Sequence, residues 1–370
     1  MTADFLGQNL RLARLFHGLS LQDLADRVNK SKQYLSRLES GLEPPHESLE
    51  TALAEALNVL PRFFREVDPM PISDEQCHFR KQLTTKVALK QVARAQGEMF
   101  KRLVSVLDQN LDFPNYAFLH EEVSTPEEIE HVAEMSRSHW GLGLGPIANM
   151  SRVAENAGAV LVKTDGLADE IDAISFATRR PVITLNAEGK SACRTRFGIA
   201  HEIGHLTIHV GVQTGDRATE SQANRFASAF LMPRVHFIKE CHRALRGTRL
   251  NWQVLTDIKM RWGVSKAAIL YRGRQLGAFS EEQYRSGVIT LRRHGEALQE
   301  HEDRDMVHEK PEVILDSMKV LAQQCDMSRK MIADLMFVKP ELLDKLLGAK
   351  SVESPSTNNI VSLQYYRHSE

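Results

Sequence analysis

Apolar residues recur at helical spacing along most of this chain, broken in the middle by short apolar runs with strand character. Over residues 5–66 the apolar positions fall into short groups: Leu6, Leu10 and Ala13; Leu21, Leu24, Ala25 and Val28; Leu35 and Leu38; Leu49, Leu53 and Leu57. With Phe63 and Phe64 closing it, this pattern predicts a bundle of five short helices. Ser20 stands where it can cap the second helix, with Asp23 at the capping-box position, and Ser31 caps the third. Asn29-Lys30 makes the turn between them, and Gly41 ends the third. Prolines replace the periodicity over residues 67–73, which predicts a linker. Residues 84–109 carry a long helical pattern through Val87, Val92, Met99, Leu103 and Val106. Thr125, Pro126 and Glu128 spell a helix start, and that helix runs to about Trp140. Gly141 to Gly145 reads as a turn, with a new helix from Pro146. Strands are expected at 159–163, 173–177 and 181–186, forming a small sheet whose edge strand can hold an extended peptide.

The chemistry concentrates in the next stretch, Arg196 to His209, which contains His201-Glu202-x-x-His205. Residues four apart share one helix face, so His201 and His205 can point two imidazoles at one metal ion. Glu202 lies beside them, where a carboxylate can take a proton from a metal-bound water. Catalytic zinc takes three protein ligands and keeps one open position. Glu220 and Asn224 begin a second amphipathic run and lie one helical turn apart. Glu220 can supply the third ligand, and Asn224 can hold an imidazole N–H. His209 is the competitor. Eight residues along a helix rise about 12 Å, against a Zn–N bond of about 2 Å, so His201 and His209 cannot share an ion on an unbroken helix. His209 therefore reads as a helix-end residue. A turn at residues 211–216 brings the two helices together, and Pro233 stops the second. Further helices are expected at 234–246 and 252–262, with one from Ser265 to Leu276. Residues 311–348 read as helical through Ile314, Leu315, Met318, Leu321, Ile332, Leu335, Leu342 and Leu346, and 349–370 as a disordered tail.

Composition narrows the function classes. The 370 residues carry a net charge of −1, so bulk basicity does not draw the chain to nucleic acid, and any DNA contact must come from a local patch. Such a patch is visible: residues 1–37 hold six Lys or Arg against three Asp, while residues 38–61 hold five Glu and no Lys or Arg. Cys77, Cys193, Cys241 and Cys325 are far apart and form no CxxC pair, which predicts reduced thiols in a cytoplasmic protein. No signal peptide or membrane span is expected. Gly-Leu-Gly-Leu-Gly at 141–145 lacks the Lys-Ser/Thr of a phosphate loop.

Two resemblances join these observations. Arg194-x-Arg-Phe-x-x-Ala-His-Glu-x-Gly-His-Leu-x-x-His209, Glu220-x-x-Ala-Asn-x-Phe-Ala227 and Leu231-Met-Pro233 resemble the ImmA/IrrE peptidase family over about residues 125–277. The resemblance implies a gluzincin-like zinc endopeptidase, with His201, His205 and Glu220 as ligands and Glu202 as catalytic acid/base. Leu19-Ser-Leu-x-x-Leu-Ala25 and Ser31-x-x-Tyr-Leu-Ser-Arg-Leu-Glu-x-Gly41 resemble XRE-type helix-turn-helix domains. In these the second helix of the motif enters the major groove through its N-terminal residues. That makes Lys32, Gln33 and Ser36 base-edge candidates, and Lys30 and Arg37 phosphate contacts. The expected architecture is multidomain and mainly α: a lambda-repressor-like bundle at 5–66, a linker and helical connector at 67–122, an α+β zincin-like peptidase domain with a small sheet at 123–277, a helical C-terminal region at 278–348 and the tail. The expected function is a DNA-binding regulator with a Zn2+-dependent endopeptidase that cuts a repressor-type protein in a stress or mobile-element response. The alternative is a transcription regulator whose zincin-like domain senses metal or a ligand without proteolysis. Partners are then duplex DNA and a protein substrate, with no membrane; self-association as a homodimer stays open. Arg225 and His236 are the nearest candidates in sequence for stabilising an oxyanion, and neither is assigned.

Overall fold

The capping residues set where the N-terminal helices begin. These are α1 (Gly7–Phe16), α2 (Leu21–Arg27), α3 (Lys32–Glu39) and α4 (Glu47–Ala56), followed by a 3-10 turn at Pro61–Arg65. At the start of α2 the Asp23 N–H donates to the Ser20 hydroxyl, and the Ser20 N–H donates to the Asp23 carboxylate, so two orphan donors are satisfied together. Asn29 takes a left-handed φ of 51°, which Asn tolerates better than most residues, and turns the chain into α3. Leu10, Leu24, Leu35, Leu38, Leu53 and Phe63 are wholly buried between the helices. The computed structural model of the protein describes residues 4–73, 76–79, 87–164, 173–186 and 189–348. The expected start of the long connector helix at 84–86 and the tail at 349–370 lie outside the described residues.

A four-stranded sheet forms the wall between two cores. Its strands are β1 (Cys77–Phe79), β2 (Val160–Thr164), β3 (Ala173–Phe176) and β4 (Val182–Asn186), in the order β1-β3-β4-β2. β2 runs parallel to β4, and the other pairs are antiparallel. Successive side chains point to opposite faces, and both faces are covered. Val160, Val162, Ile174, Phe176 and Val182 belong to one core, and Leu161, Ala173, Ile183 and Leu185 to the other. The first core joins the N-terminal bundle, the connector helix α5 (Val87–Asn110) and three C-terminal helices, α14 (Val313–Gln324), α15 (Arg329–Leu335) and α16 (Pro340–Leu347). Gly97 allows α5 to lie against the sheet, since a Cβ there would sit 2.4 Å from the Phe176 ring. The second core holds α6 (Pro126–His139), α7 (Met150–Asn156), α8 (Ala192–Ile208), α9 (Arg217–Leu231), α10 (Arg234–Arg243), α11 (Trp252–Trp262), α12 (Lys266–Gln275) and α13 (Glu281–Arg293).

Four local expectations change. The sheet has β1 beyond the three strands expected, because Cys77, His78 and Phe79 pair with Phe176, Ser175 and Ile174, so its edges are β1 and β2. The helix expected from Pro146 starts at Met150, capped by the Asn149 side chain, and the stretch between holds a carbonyl for α8. The helix expected to reach residue 246 ends at Arg243, where a two-residue hairpin forms from β5 (Leu245–Arg246) and β6 (Arg249–Leu250), with Gly247 at φ 62°. Leu335, expected to be an apolar core position, is half exposed at 50%.

Candidate metal centre and groove-reading helix

α8 begins at Ser191, whose hydroxyl accepts from the Arg194 N–H, and buries almost its whole length. α9 begins at Asp216, whose carboxylate accepts from the Ala218 and Thr219 N–H groups. The two helices approach closely at Gly204, where a Cβ would lie 3.1 Å from Phe226. That approach brings a carboxylate of α9 to the imidazoles of α8. The ligand atoms of His201, His205 and Glu220 all lie within 4.8 Å of one another. His201 Nε2 and His205 Nε2 are 3.1 Å apart, and the Glu220 oxygens lie 3.5 and 3.4 Å from them. Both histidines are fully buried. Burial works against the charge on Glu220, but protonated His201 and His205 outweigh it and pull its carboxyl down to about 2; a bound cation would take the place of those protons.

The outer ring nitrogens fix which inner nitrogens carry lone pairs. The Asn224 side-chain oxygen lies 3.1 Å from His201 Nδ1 and accepts its proton, leaving His201 Nε2 as a lone-pair donor. His205 is set through a relay. Gln222 Oε1 lies 2.8 Å from His209 Nε2 and can only accept, so the proton of His209 sits on Nε2. Burial lowers the pKa of His209 and favours its neutral form. His209 Nδ1 then accepts from His205 Nδ1 at 2.9 Å, which leaves His205 Nε2 bare. Two buried imidazole nitrogens and one partly buried carboxylate oxygen, so oriented, are a donor set that fits zinc with one position left open. His209 caps the C-terminus of α8 and acts behind His205. Glu202 is fully buried, and the Ser175 hydroxyl of β3 donates to its Oε2 at 2.6 Å.

Sequence reasoning missed Ser175 and Gln222. The His205–His209 stack was visible as a four-residue spacing, but Ser175 lies on a strand far from α8 in sequence and carries no periodic signal. Of the two residues near the motif considered for an oxyanion, Arg225 is engaged with α6, donating to the Pro126 carbonyl at 3.2 Å and pairing with Glu130 at 3.4 Å. His236 stays exposed on α10. The Gly141–Gly145 turn points carbonyls inward: Gly143 and Gly145, with Phe230, accept from the buried Arg137 guanidinium. None of the four cysteines is in a disulfide, and burial pushes the Cys193 thiol up to about 12, which keeps it out of thiolate chemistry.

The other site is built the opposite way. Lys30, Lys32, Gln33, Ser36 and Arg37 are all exposed, while Leu35 and Leu38 pin α3 from below. Ser31 caps α3 by accepting from the Tyr34 N–H. Arg37 leans on Glu43 at 3.1 Å with over half its side chain in solvent. A buried fork between Arg14 and Glu39 ties α3 to α1, so the reading residues stand on a fixed base.

Comparison with known proteins adds two family matches. The profile described as a helix-turn-helix domain matches residues 6–62, and the profile described as an IrrE N-terminal-like domain (Peptidase_M78) matches residues 154–273. A search of the curated proteins found no match. A solved structure described as a Mycobacterium tuberculosis transcriptional regulator aligns at 16% identity and a TM-score of 0.29, over 46% of this chain and 51% of that one. The chain thus spans about half the length of that structure. Among the described residues no helix is long and apolar enough to cross a membrane.

Proposed function

We infer, for a chain that joins an XRE-type helix-turn-helix domain to a domain of the ImmA/IrrE family, a DNA-binding regulator that is also a zinc-dependent endopeptidase acting on a protein, with a repressor as the expected substrate. The observation that carries the peptidase half is the convergence of His201, His205 and Glu220, with Glu202 next to His201 on α8 and hydrogen-bonded to Ser175. Asn224 and the His209–Gln222 relay would keep two imidazole lone pairs on zinc, with Glu220 as the third ligand. Zinc, when bound, supplies a lowered water pKa and polarises a carbonyl. Glu202 takes the proton of the attacking water and passes it to the leaving amine as the C–N bond breaks. Ser175 donates to one oxygen of Glu202 and so would help to hold the carboxylate in place. On the DNA side, α3 lies in the major groove, with Lys32, Gln33 and Ser36 at base edges and Lys30 and Arg37 on phosphates.

Metal content of the full chain tests the ligand set. One zinc per chain is expected for the wild type, and Glu220→Ala should lose occupancy far more than His209→Ala. Full occupancy in the Glu220 variant would sink this ligand set.

A further inference from the structure

The C-terminal helices repeat the N-terminal ones. α15 and α16 match α2 and α3 residue for residue at one constant offset, which takes Leu21–Arg27 to Arg329–Leu335 and Lys32–Glu39 to Pro340–Leu347. The same offset takes Phe16, the last residue of α1, to Gln324, the last of α14. Ser20 becomes Ser328, each a helix cap accepting from the N–H three residues on. The two left-handed residues Gly18 and Asn29 become Asp326 and Phe337, also left-handed at φ 50° and 55°. The turn bonds recur too: Val28 N–H to the Leu24 carbonyl and Lys30 N–H to Ala25, then Met336 N–H to Ile332 and Val338 N–H to Ala333. Buried Leu24, Ala25, Leu35 and Leu38 are answered by buried Ile332, Ala333, Leu343 and Leu346.

The chemistry of the two units differs at the positions that face a groove. Lys32, Gln33, Ser36 and Arg37 are replaced by Pro340, Glu341, Asp344 and Lys345. Two acids stand where the first unit has neutral hydrogen-bonding groups, which repels phosphate. The second unit is instead docked on the first. Val59, in the turn after α4, pairs with Val338, in the turn between α15 and α16. The pairing is reciprocal: Leu60 N–H donates to the Phe337 carbonyl and Lys339 N–H to the Asn58 carbonyl, both at 2.9 Å. Around this joint Arg62 lies over the Phe337 ring at 4.5 Å, Lys339 pairs with Glu55, and Lys345 reaches the Phe16 ring at 5.4 Å and His17 Nδ1 at 3.2 Å. A left-handed phenylalanine is strained and persists only where its surroundings fix it; here Phe337 is fixed by the joint. On its other side the unit packs α14 and α16 against β2.

We propose that residues 313–347 are a second helix-turn-helix unit that has lost groove reading and serves as the intramolecular docking partner of the first, tying the N-terminal domain to the sheet. The occupant of the α4 and Pro61–Arg65 face is therefore this chain's own C-terminal unit.

Hydrogen exchange and duplex binding on the full chain test both halves of the proposal. In Val338→Asp the amides of Leu60 and Lys339 should exchange at least about tenfold faster together, while the amides of α8 and the zinc content stay as in the wild type. Lys345→Ala, a surface change that leaves the buried joint intact, should give the same pattern at about twofold to threefold. With a generic DNA duplex as probe, Glu341→Ala with Asp344→Ala should leave affinity within about twofold, while Arg37→Ala lowers it about fivefold or more. Unchanged exchange at Leu60 and Lys339 in the Lys345 variant would overturn the docking role. A change of duplex affinity in the Glu341, Asp344 variant as large as that of Arg37→Ala, in either direction, would place the unit at the DNA and overturn the proposal.

Discussion

α3 and α8 carry the two candidate sites, and they are built under opposite constraints. α8 buries fourteen of its seventeen residues, including His201, Glu202 and His205. α3 buries only Leu35 and Leu38 of its eight. A metal site needs its ligands desolvated and oriented by neighbours, because a bare imidazole or carboxylate in water has no fixed tautomer or direction. A reading helix needs its polar side chains in solvent, where they are free to meet base edges and phosphates. One consequence is how each site tolerates change. A substitution on α8 disturbs packing on all sides, whereas one on the outer face of α3 removes a contact and little else.

The largest effect that sharpens this contrast is loss of a ligand: His205→Ala should lower zinc affinity by about a hundredfold or more, read by competition with a chelating dye. The buried surroundings of α8 should come next. Asn224→Ala and Gln222→Ala should each weaken zinc by about tenfold, because an imidazole is no longer held in the right tautomer. Gly204→Leu, whose side chain has no room beside a Phe226 ring that a Cβ alone would meet at 3.1 Å, should cost about 1–3 kcal/mol of stability in thermal unfolding. Full zinc affinity in the Gln222 variant would break the idea that the relay through His209 matters. On α3 the expected effect is gentler: Arg37→Ala should lower duplex affinity and reduce the salt slope by about one unit, with zinc content unchanged.

The smallest effect concerns the ion cluster that fastens residues 296–305 over α11 and α12. Lys259 bonds Glu300 and Asp303 at 2.7 and 2.6 Å, and Lys266 bonds Glu296 and Glu302 at 2.8 and 3.1 Å. Burial resists charge on Glu302, but Lys266 outweighs it and pulls its carboxyl down to about 2 from 4.5. A depressed carboxyl adds stability above its unfolded value, and that stability is lost as pH falls from about 4.5 towards 2. Lys259 is shifted the other way: burial opposes its charge, but Asp303 and Glu300 raise it above its ordinary 10.5. Its contribution is full below that value and is lost as pH rises beyond it. Protection of the Lys266 amide, which donates to Glu300, measured against the intrinsic exchange of an unfolded amide at each pH, should therefore be greatest between these limits and fall on both sides.

Much of this contrast was legible in the residues themselves. Ser20, Ser31 and Thr125 announce their helices because a cap is a local event between residues three apart. The spacing of His201 and His205 announces a shared face for the same reason. What was not legible depends on contacts between distant parts of the chain. β1 has three residues, too few for a period, and exists only because β3 lies beside it about a hundred residues later. Ser175 reaches Glu202 through the fold alone. Pro146 looked like a first helical residue, yet the segment after it is held extended so that the Ile147 carbonyl can accept from Arg196. The C-terminal repeat was half hidden: its helices showed in the apolar spacing, but only Ser328, Ala333, Asp334, Leu343 and Leu346 are identical to their counterparts in the stretch from Gly18 to Glu39.

The central claim is that buried α8 does chemistry which exposed α3 does not share. The most direct test compares wild type and Glu202→Gln, both loaded with zinc, in a cell extract, mapping every new protein N-terminus while measuring duplex affinity in parallel. The account predicts new N-termini within a DNA-binding repressor for the wild type, none for Glu202→Gln, and equal zinc content and equal duplex affinity for the two. The same set of termini from both proteins, or none from either with zinc in place, would contradict it.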